Sequence, residues 1–205
     1  MTIEQSNAAF SPAARQDQIG SKEAIPAAVA AELAELRREI EELRAQVPED
    51  RAALVVFSGD LDRAIAAFII ATGAAVAGLE TTMFFTFWGL SILKKKNGAA
   101  ASKKDLMQKM FAVMTPGSSE SLGVSKMNYF GVGAVMLRSM MKKNGVSSLE
   151  ELVGLSRELG VRMIGCTMSM DVMGIDKDEL FDGIDLGGVA AFMGEASRAR
   201  VSLFI

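Results

Sequence analysis

The chain has 205 residues, half of them hydrophobic, with 22 lysines and arginines against 25 aspartates and glutamates. That length suits one domain with an appendage, and a formal net charge of −3 provides no basic surface for a nucleic acid. The absence of histidine and the presence of a single cysteine exclude imidazole catalysis, Cys–His and Ser–His–Asp sites, conventional zinc sites and internal disulfides, and favour a reducing compartment.

The N-terminal part of the sequence predicts a polar lead followed by one helix. Residues 1–25 are rich in small polar side chains and lack the features of a secretory signal, so we expect a disordered lead and a cytoplasmic protein. Residues 26–48 begin and end with proline and carry apolar side chains at alternating spacings of four and three, at Val29, Leu33, Leu36, Ile40, Leu43 and Val47. This heptad pattern predicts an amphipathic helix that pairs with copies of itself; the alternative is a helix packed on its own domain.

A domain spanning residues 51–205 is predicted to begin with a βαβ unit. Residues 53–58 are an apolar run of strand length, and residues 61–77 form an apolar helix rich in alanine and glycine. Residues 80–87 have the threonine and aromatic content of a second strand. Two strands joined by a helix lie parallel in a sheet, so this unit predicts an α/β fold.

A membrane-spanning interpretation competes with this prediction. Between positions 64 and 93 the only charged residue is Glu80, which meets the length criterion for a span. We favour the α/β domain, because Gly78 and Glu80 divide the run into a helix-like and a strand-like part. A carboxylate within a span is also costly.

Residues 97–145 are predicted to form a methionine-rich helical insertion, with helices over 105–114 and 133–143 and a break over 115–119. Its seven methionines are Met107, Met110, Met114, Met127, Met136, Met140 and Met141. Because methionine is adaptable, the insertion is either a lid or binding face or a loosely specified part of the core. Residues 131–133 are only a fragment of a dinucleotide-binding loop, and we expect no cofactor.

The C-terminal third is predicted to alternate helices and strands. Ser147 or Ser148 caps a helix that ends near residue 160, and an alternating run then forms a strand that ends at Cys166. The remaining features are a cap at Asp176, a helix over 186–198 and a strand over 201–205. The sheet then has four strands, or five if residues around Tyr129 form another.

Cys166 is the principal candidate functional residue. Ser169 and Asp171 follow it as residues able to cap a helix, so the thiol should lie at the carboxyl end of a strand, just before a helix. Open α/β sheets bind ligands at that edge, and the N–H groups of a helix start stabilise a thiolate. The alternative is an inert, buried cysteine.

Three separated segments carry a recognisable pattern: residues 56–62 (VFSGDLD), 83–90 (MFFTFWGL) and 166–175 (CTMSMDVMGI). Together they resemble the DsrE/DsrF/DsrH-like family, and most closely its DsrE2 branch. The resemblance covers residues 51–205 and leaves the N-terminal helix outside. It implies a flavodoxin-like α/β domain that forms homo-oligomers. The expected sheet is mostly parallel, with four to five strands and helices on both faces.

The resemblance also implies a function in sulfur trafficking. Cys166 would carry sulfane sulfur as a persulfide, taken from a rhodanese-like donor and passed to a TusA-like carrier, which makes the protein a sulfurtransferase-like relay. Such a relay requires that the sulfur be presented to partners at the edge of the sheet. The residues expected around it are Gly165, Thr167 and Ser169 as an anion site, Asp171 as a helix cap, and Gly59 and Asp60 as a further pocket.

Two other functions compete with the relay. A noncatalytic oligomeric scaffold would bind a small apolar ligand or a partner through its methionine-rich surface, in solution or at a membrane. A peroxide-reducing thiol protein is disfavoured, because the chain has neither a second cysteine to resolve a sulfenate nor a histidine to activate the thiol.

Overall fold

A computed structural model describes residues 26–95, 116–126 and 131–205. The chain divides into two units, Met1–Val47 and Pro48–Ile205. The predicted lead, the predicted helix over 105–114, four of the seven methionines and Tyr129 lie outside the described residues.

The first unit contains helix α1, Ala27–Gln46, as the heptad pattern predicts. It begins directly after Pro26, whose carbonyl accepts a hydrogen bond from the Ala30 N–H at 3.0 Å. Proline suits this position because the first N–H groups of a helix have no partner within it. The six apolar heptad residues are between 40% and 58% exposed.

The second unit alternates strands and helices. The strands are β1 Glu49–Val56, β2 Glu80–Phe85, β3 Arg162–Cys166, β4 Asp185–Gly187 and β5 Ala199–Phe204. The α-helices are α2 Leu61–Val76, α3 Val132–Lys143, α4 Leu149–Glu158, α5 Thr167–Met173 and α6 Val189–Ala196. Short 3₁₀ helices are Phe87–Leu93, Ser119–Ser121 and Lys177–Glu179.

The five strands in the described part of the chain form one parallel sheet in the order β4-β3-β2-β1-β5, which confirms the predicted α/β class. The strand that the sequence did not predict is β4, which overlaps the start of the helix predicted over 186–198. That prediction was wrong at its start, because Gly187 and Gly188 are poor helix formers and Gly187 pairs with Cys166 of β3. The helix begins only at Val189.

Two of the predicted caps are confirmed. The Ser148 hydroxyl accepts a hydrogen bond from the Glu151 N–H at 3.2 Å, and the Glu151 carboxylate accepts one from the Ser148 N–H at 2.8 Å. This reciprocal arrangement satisfies two N–H groups at the start of α4. Asp176 forms the same kind of capping box with Glu179.

The two faces of the sheet are covered unequally. One face packs on α2, α4 and α5 and holds the larger part of the core, including Phe68 of α2 against Phe85 of β2, with ring centroids 5.9 Å apart. The other face is covered by α6, whose Phe192 stacks on Phe84 at 5.1 Å. Helices therefore lie on both faces, as predicted.

Residues 64–93 form most of α2, all of β2 and the 3₁₀ helix Phe87–Leu93. Those apolar residues are consequently shared between a helix and a central strand of the sheet. Across the described parts of the chain, no helix combines the length and the apolar character needed to cross a bilayer.

The loops after β1 and β2 approach each other closely at the carboxyl edge of the sheet. The Gly89 N–H donates to the Phe57 carbonyl at 2.8 Å. A Cβ atom on Gly89 would lie 2.1 Å from the Val56 carbonyl oxygen, and one on Gly59 would lie 2.7 Å from that of Trp88. Glycine is thus required at both positions by the proximity of backbone atoms.

We expect Gly89→Ala to lower the free energy of unfolding by about 3 kcal/mol, because backbone must move to admit the methyl group. Gly73→Ala is the matched control: a Cβ there would meet nothing within 4 Å, and alanine in a helix should add about 0.5–1 kcal/mol. Urea unfolding of both variants measures the difference. Equal stabilities would contradict the close approach of the two loops.

Candidate functional site

The crevice between β3 and β4 is a topological switch point. The helix after β3, α5, packs Met170 and Met173 into the larger core, whereas the helix after β4, α6, packs Phe192 on the opposite face. Adjacent parallel strands whose following helices cover opposite faces leave a crevice at their carboxyl ends, where open α/β sheets bind ligands. Cys166 is the last residue of β3 and pairs with Gly187, the last residue of β4.

Cys166 lies where the sequence predicts it, at the end of a strand directly before a helix. No residue separates β3 from α5, so Cys166 itself occupies the N-cap position of α5. Within the described residues, its thiol makes no capping hydrogen bond to this helix. The helix start adjoins the sulfur in the chain, but the thiol is directed into a packed cluster.

The side chain of Cys166 is buried by other residues of its own chain. Cys166 is 0% exposed and belongs to a buried cluster with Ala53, Phe84, Ile164 and Phe192. Phe192 of α6 covers the thiol on one face of the sheet. The structure thus differs from the expectation of a sulfur presented at the surface.

Ser169 and Asp171 do not cap a helix, which corrects the prediction from sequence. Both lie inside α5, because β3 runs directly into this helix and Cys166 takes the cap position. Ser169 is fully buried, and its hydroxyl is 2.7 Å from the Thr86 hydroxyl, which ties α5 to the loop after β2. Asp171 and Thr167 are exposed, with Thr167 in the first turn next to the cysteine.

Gly165 precedes the cysteine and faces the other side of the sheet. A Cβ atom there would lie 3.6 Å from side-chain carbons of Leu90, Leu180 and Leu186, an ordinary packing distance. Side chains alternate along a strand, so Gly165 and Cys166 point to opposite faces. Gly165 therefore contributes backbone to the site and no side-chain surface beside the sulfur.

Gly59 and Asp60 lie at the same edge of the sheet but after β1. The Ser58 hydroxyl donates to the Asp60 carboxylate at 2.9 Å and accepts from the Asp60 N–H at 3.1 Å. With β2 between β1 and β3, this turn is roughly 10 Å from Cys166 across the sheet. Gly59 of this turn lies against Trp88 in the loop after β2. Thr86 of the same loop is hydrogen-bonded to Ser169 of α5.

Several residues of the site were not predicted from sequence. Phe84, Phe192 and Gly187 surround the thiol, and their role depends on how β4 and α6 are placed. Phe87 has a left-handed backbone, with φ of 46°, directly after β2. Thr86 and Phe87 fall within residues 83–90, so the family motif was an available signal for them.

Ion pairs anchor the far end of α6. Glu195, in the last turn, is bound by Arg51 of β1 and by Arg162 of β3, the latter at 3.1 Å. A hydrogen bond to Asp185, together with the charges of Asp185 and Glu195, raises the pKa of Arg162 despite some desolvation. The first turn of α6 instead follows two glycines beside Cys166. The two ends of α6 are thus held differently, by ion pairs at the last turn and by apolar packing near the thiol.

A cavity of about 530 Å³ lies apart from the cysteine, between α2, α3 and the start of α4. Its apolar lining includes Leu61, Ile65, Met141 and Val146, with Arg138 and Lys142 at the side. The described ranges contain no group of three or more histidine, cysteine, aspartate or glutamate side chains placed to bind a metal ion.

Residues 48–204 match the DsrE/DsrF/DrsH-like family. The chain is 44% identical to the uncharacterized protein YrkE of Bacillus subtilis (strain 168) over 155 residues, which cover 76% of this chain and 96% of that protein. It is 34% identical to the sulfur carrier protein DsrE2 of Allochromatium vinosum over 165 residues, covering 77% of this chain and 99% of that protein. Among solved structures, the YchN protein from E. coli aligns with a TM-score of 0.41 and 11% identity, over 76% of this chain and 99% of that one.

We expect Phe192→Ala to expose the thiol, because loss of the ring opens the cluster that encloses it and destabilises the native packing by about 3 kcal/mol. Labelling of Cys166 by a soluble aromatic disulfide reagent should then accelerate about tenfold or more. Phe68→Ala is the matched control, since it removes a buried ring from the opposite face. If both variants label at the same rate, α6 is not what restricts access.

Proposed function

Since this chain belongs to the DsrE/DsrF/DrsH-like family, in its DsrE2 branch, we propose that it is a sulfur carrier that holds sulfane sulfur as a persulfide on Cys166. The proposal rests on the position of the only cysteine in the sequence. Cys166 is the last residue of β3, at the switch point of the sheet, and lies within the residues that match the family. A relative matched over 99% of its length is a sulfur carrier.

The chemistry requires only one thiol. The Cys166 thiolate attacks the outer sulfur of a donor persulfide, the donor S–S bond breaks, and the donor leaves as a thiolate. An acceptor thiolate then attacks the outer sulfur of the Cys166 persulfide and releases the Cys166 thiolate. Each step forms one S–S bond and breaks another, so no external oxidant or reductant is consumed. The absence of a second cysteine is compatible with this exchange.

Access to the sulfur is the step that the fold controls. We propose that the first turn of α6 moves away from β3 when a partner docks, while the ion pairs of Glu195 hold its last turn. Exposed apolar side chains of the two helices that begin at the crevice, Met168 on α5 and Val189 on α6, offer contacts to that partner. Packing of the partner would replace the apolar contacts that the thiol loses.

The partners proposed are a rhodanese-like donor and a TusA-like acceptor, both in the cytoplasm, with the carrier itself as a homo-oligomer. Thr167 is exposed in the first turn of α5 and is the side chain of the predicted anion site that can reach an incoming persulfide. Ser169 would act through its bond to Thr86, by holding α5 in place.

A second candidate function is favoured by the cavity between α2, α3 and α4. Its volume of about 530 Å³ and its apolar lining suit a small ligand with a hydrophobic body. A scaffold or ligand-binding protein would use this cavity without the cysteine. Ile65→Trp should fill it and abolish binding of an apolar fluorescent probe while leaving sulfur loading intact.

We expect the reduced protein, incubated with a persulfide donor, to gain the mass of one sulfur atom that dithiothreitol removes. Cys166→Ser should show no gain, because no other thiol is present. Intact mass spectrometry measures both.

The sharper control combines Cys166→Ser with Ser197→Cys, which moves the only thiol to an exposed position at the end of α6. This variant should lose its sulfur sooner, because nothing encloses the persulfide at the exposed position. Equal retention at both positions would show that the site has no special role, and a native protein that no donor loads would refute the carrier function.

A further inference from the structure

Helix α1 carries a continuous apolar seam with a definite heptad register. Leu33 and Ile40 occupy a positions, and Val29, Leu36 and Leu43 occupy d positions, while Val47 continues the same spacing directly after the helix. All six are substantially exposed. The family match begins at residue 48, so this helix is an addition to the family domain. An apolar seam of this kind requires a covering surface.

The charges that flank the seam identify what covers it. Glu32 and Glu39 occupy g positions, and Arg37 and Arg44 occupy the e positions of the following heptads. In a parallel pair of helices, each g residue lies beside the e residue five positions further along the partner. Glu32 then faces Arg37 of a second copy, in both directions across the pair. A second copy of α1 is thus electrostatically complementary to the first.

The same charges disfavour the antiparallel arrangement. Antiparallel helices place g beside g and e beside e, which would set glutamate against glutamate and arginine against arginine. The β-branched residue Ile40 at an a position, between leucines at d, also suits two parallel strands. The outer surface carries a pair internal to the helix, Arg38 with Glu42 at 3.7 Å, which needs no partner chain.

We propose that α1 binds a second copy of itself as a parallel, in-register, two-stranded coiled coil. Within α1 the seam from Val29 to Leu43 spans about 21 Å, two heptads, so the apolar contacts alone give a weak dimer. The complementary e and g charges decide the orientation of the two chains and their register. The assignment is independent of the sulfur chemistry proposed for Cys166.

Disulfide trapping in the full chain tests the orientation. In the parallel pair, Val29→Cys places the two introduced thiols side by side at a d position, and mild oxidation should link position 29 of one chain to position 29 of the other. Ala31→Cys is the matched control at an f position on the outer surface, and should link at less than about a tenth of that rate. Peptide mass mapping separates these links from any that involve Cys166. No preference for position 29 would overturn the proposal, since antiparallel helices or a helix packed on its own domain keep the two thiols apart.

The sign of a charge effect gives a second, independent test. Arg37→Glu turns both Glu32–Arg37 pairs of the parallel dimer into repulsive ones, and should raise the dissociation constant about tenfold at low salt. Arg38→Glu makes the same change of charge on the outer surface and should alter it by less than about twofold. Adding Glu32→Arg to Arg37→Glu should restore dimerisation. Sedimentation velocity over a concentration series measures all three. Antiparallel helices place position 37 beside position 37 of the partner, where the change keeps a like-charge pair, so equal effects of Arg37→Glu and Arg38→Glu would overturn the proposal.

Discussion

The pairing of β3 between β2 and β4 is the constraint on which the rest of the structure depends. Because β3 is hydrogen-bonded on both sides, its last residue is held at a fixed depth at the carboxyl edge of the sheet. The chain then turns into α5 with no intervening residue, while the helix after β4 crosses to the other face. These two features place Cys166 at the carboxyl edge of the sheet, the edge where open α/β sheets bind ligands, with its thiol enclosed beneath α6.

Burial of the Cys166 thiol is compatible with the proposed sulfur transfer if only the part of α6 that covers the thiol moves. A persulfide is reactive toward thiols and oxidants, so a carrier gains from keeping its sulfur away from solvent between partners. The two ends of α6 are held differently. Glu195 is bound by arginines of two strands at one end, whereas apolar packing of Phe192 covers the thiol nearer the other. In the proposed mechanism, loss of a few apolar contacts would expose the sulfur without disturbing the sheet.

The N-terminal helix lies outside the residues that match the family. The coiled coil proposed for it, about two heptads long, would contribute modest affinity, but it would link two chains and raise the effective concentration of one beside the other. In this proposal orientation comes from charge and affinity from the apolar seam, so the two properties are separable.

Local signals in the sequence determined the secondary structure and the position of the cysteine. The Ser148 capping box, the heptad spacing after Pro26 and the alternation that leads to Cys166 each act within a few residues, so each was readable from sequence. The α/β class followed from the order of these elements, and the candidate thiol from its being the only one.

Only the tertiary structure decided which residues surround the sulfur. The pairing of Gly187 with Cys166, the cover that Phe192 provides and the bond between Ser169 and Thr86 join positions far apart in the chain. Such contacts depend on how strands are ordered and which face each helix covers, and no local pattern encodes either. For that reason the sequence placed the thiol at the edge of the sheet, while its burial beneath α6 emerged only from the fold.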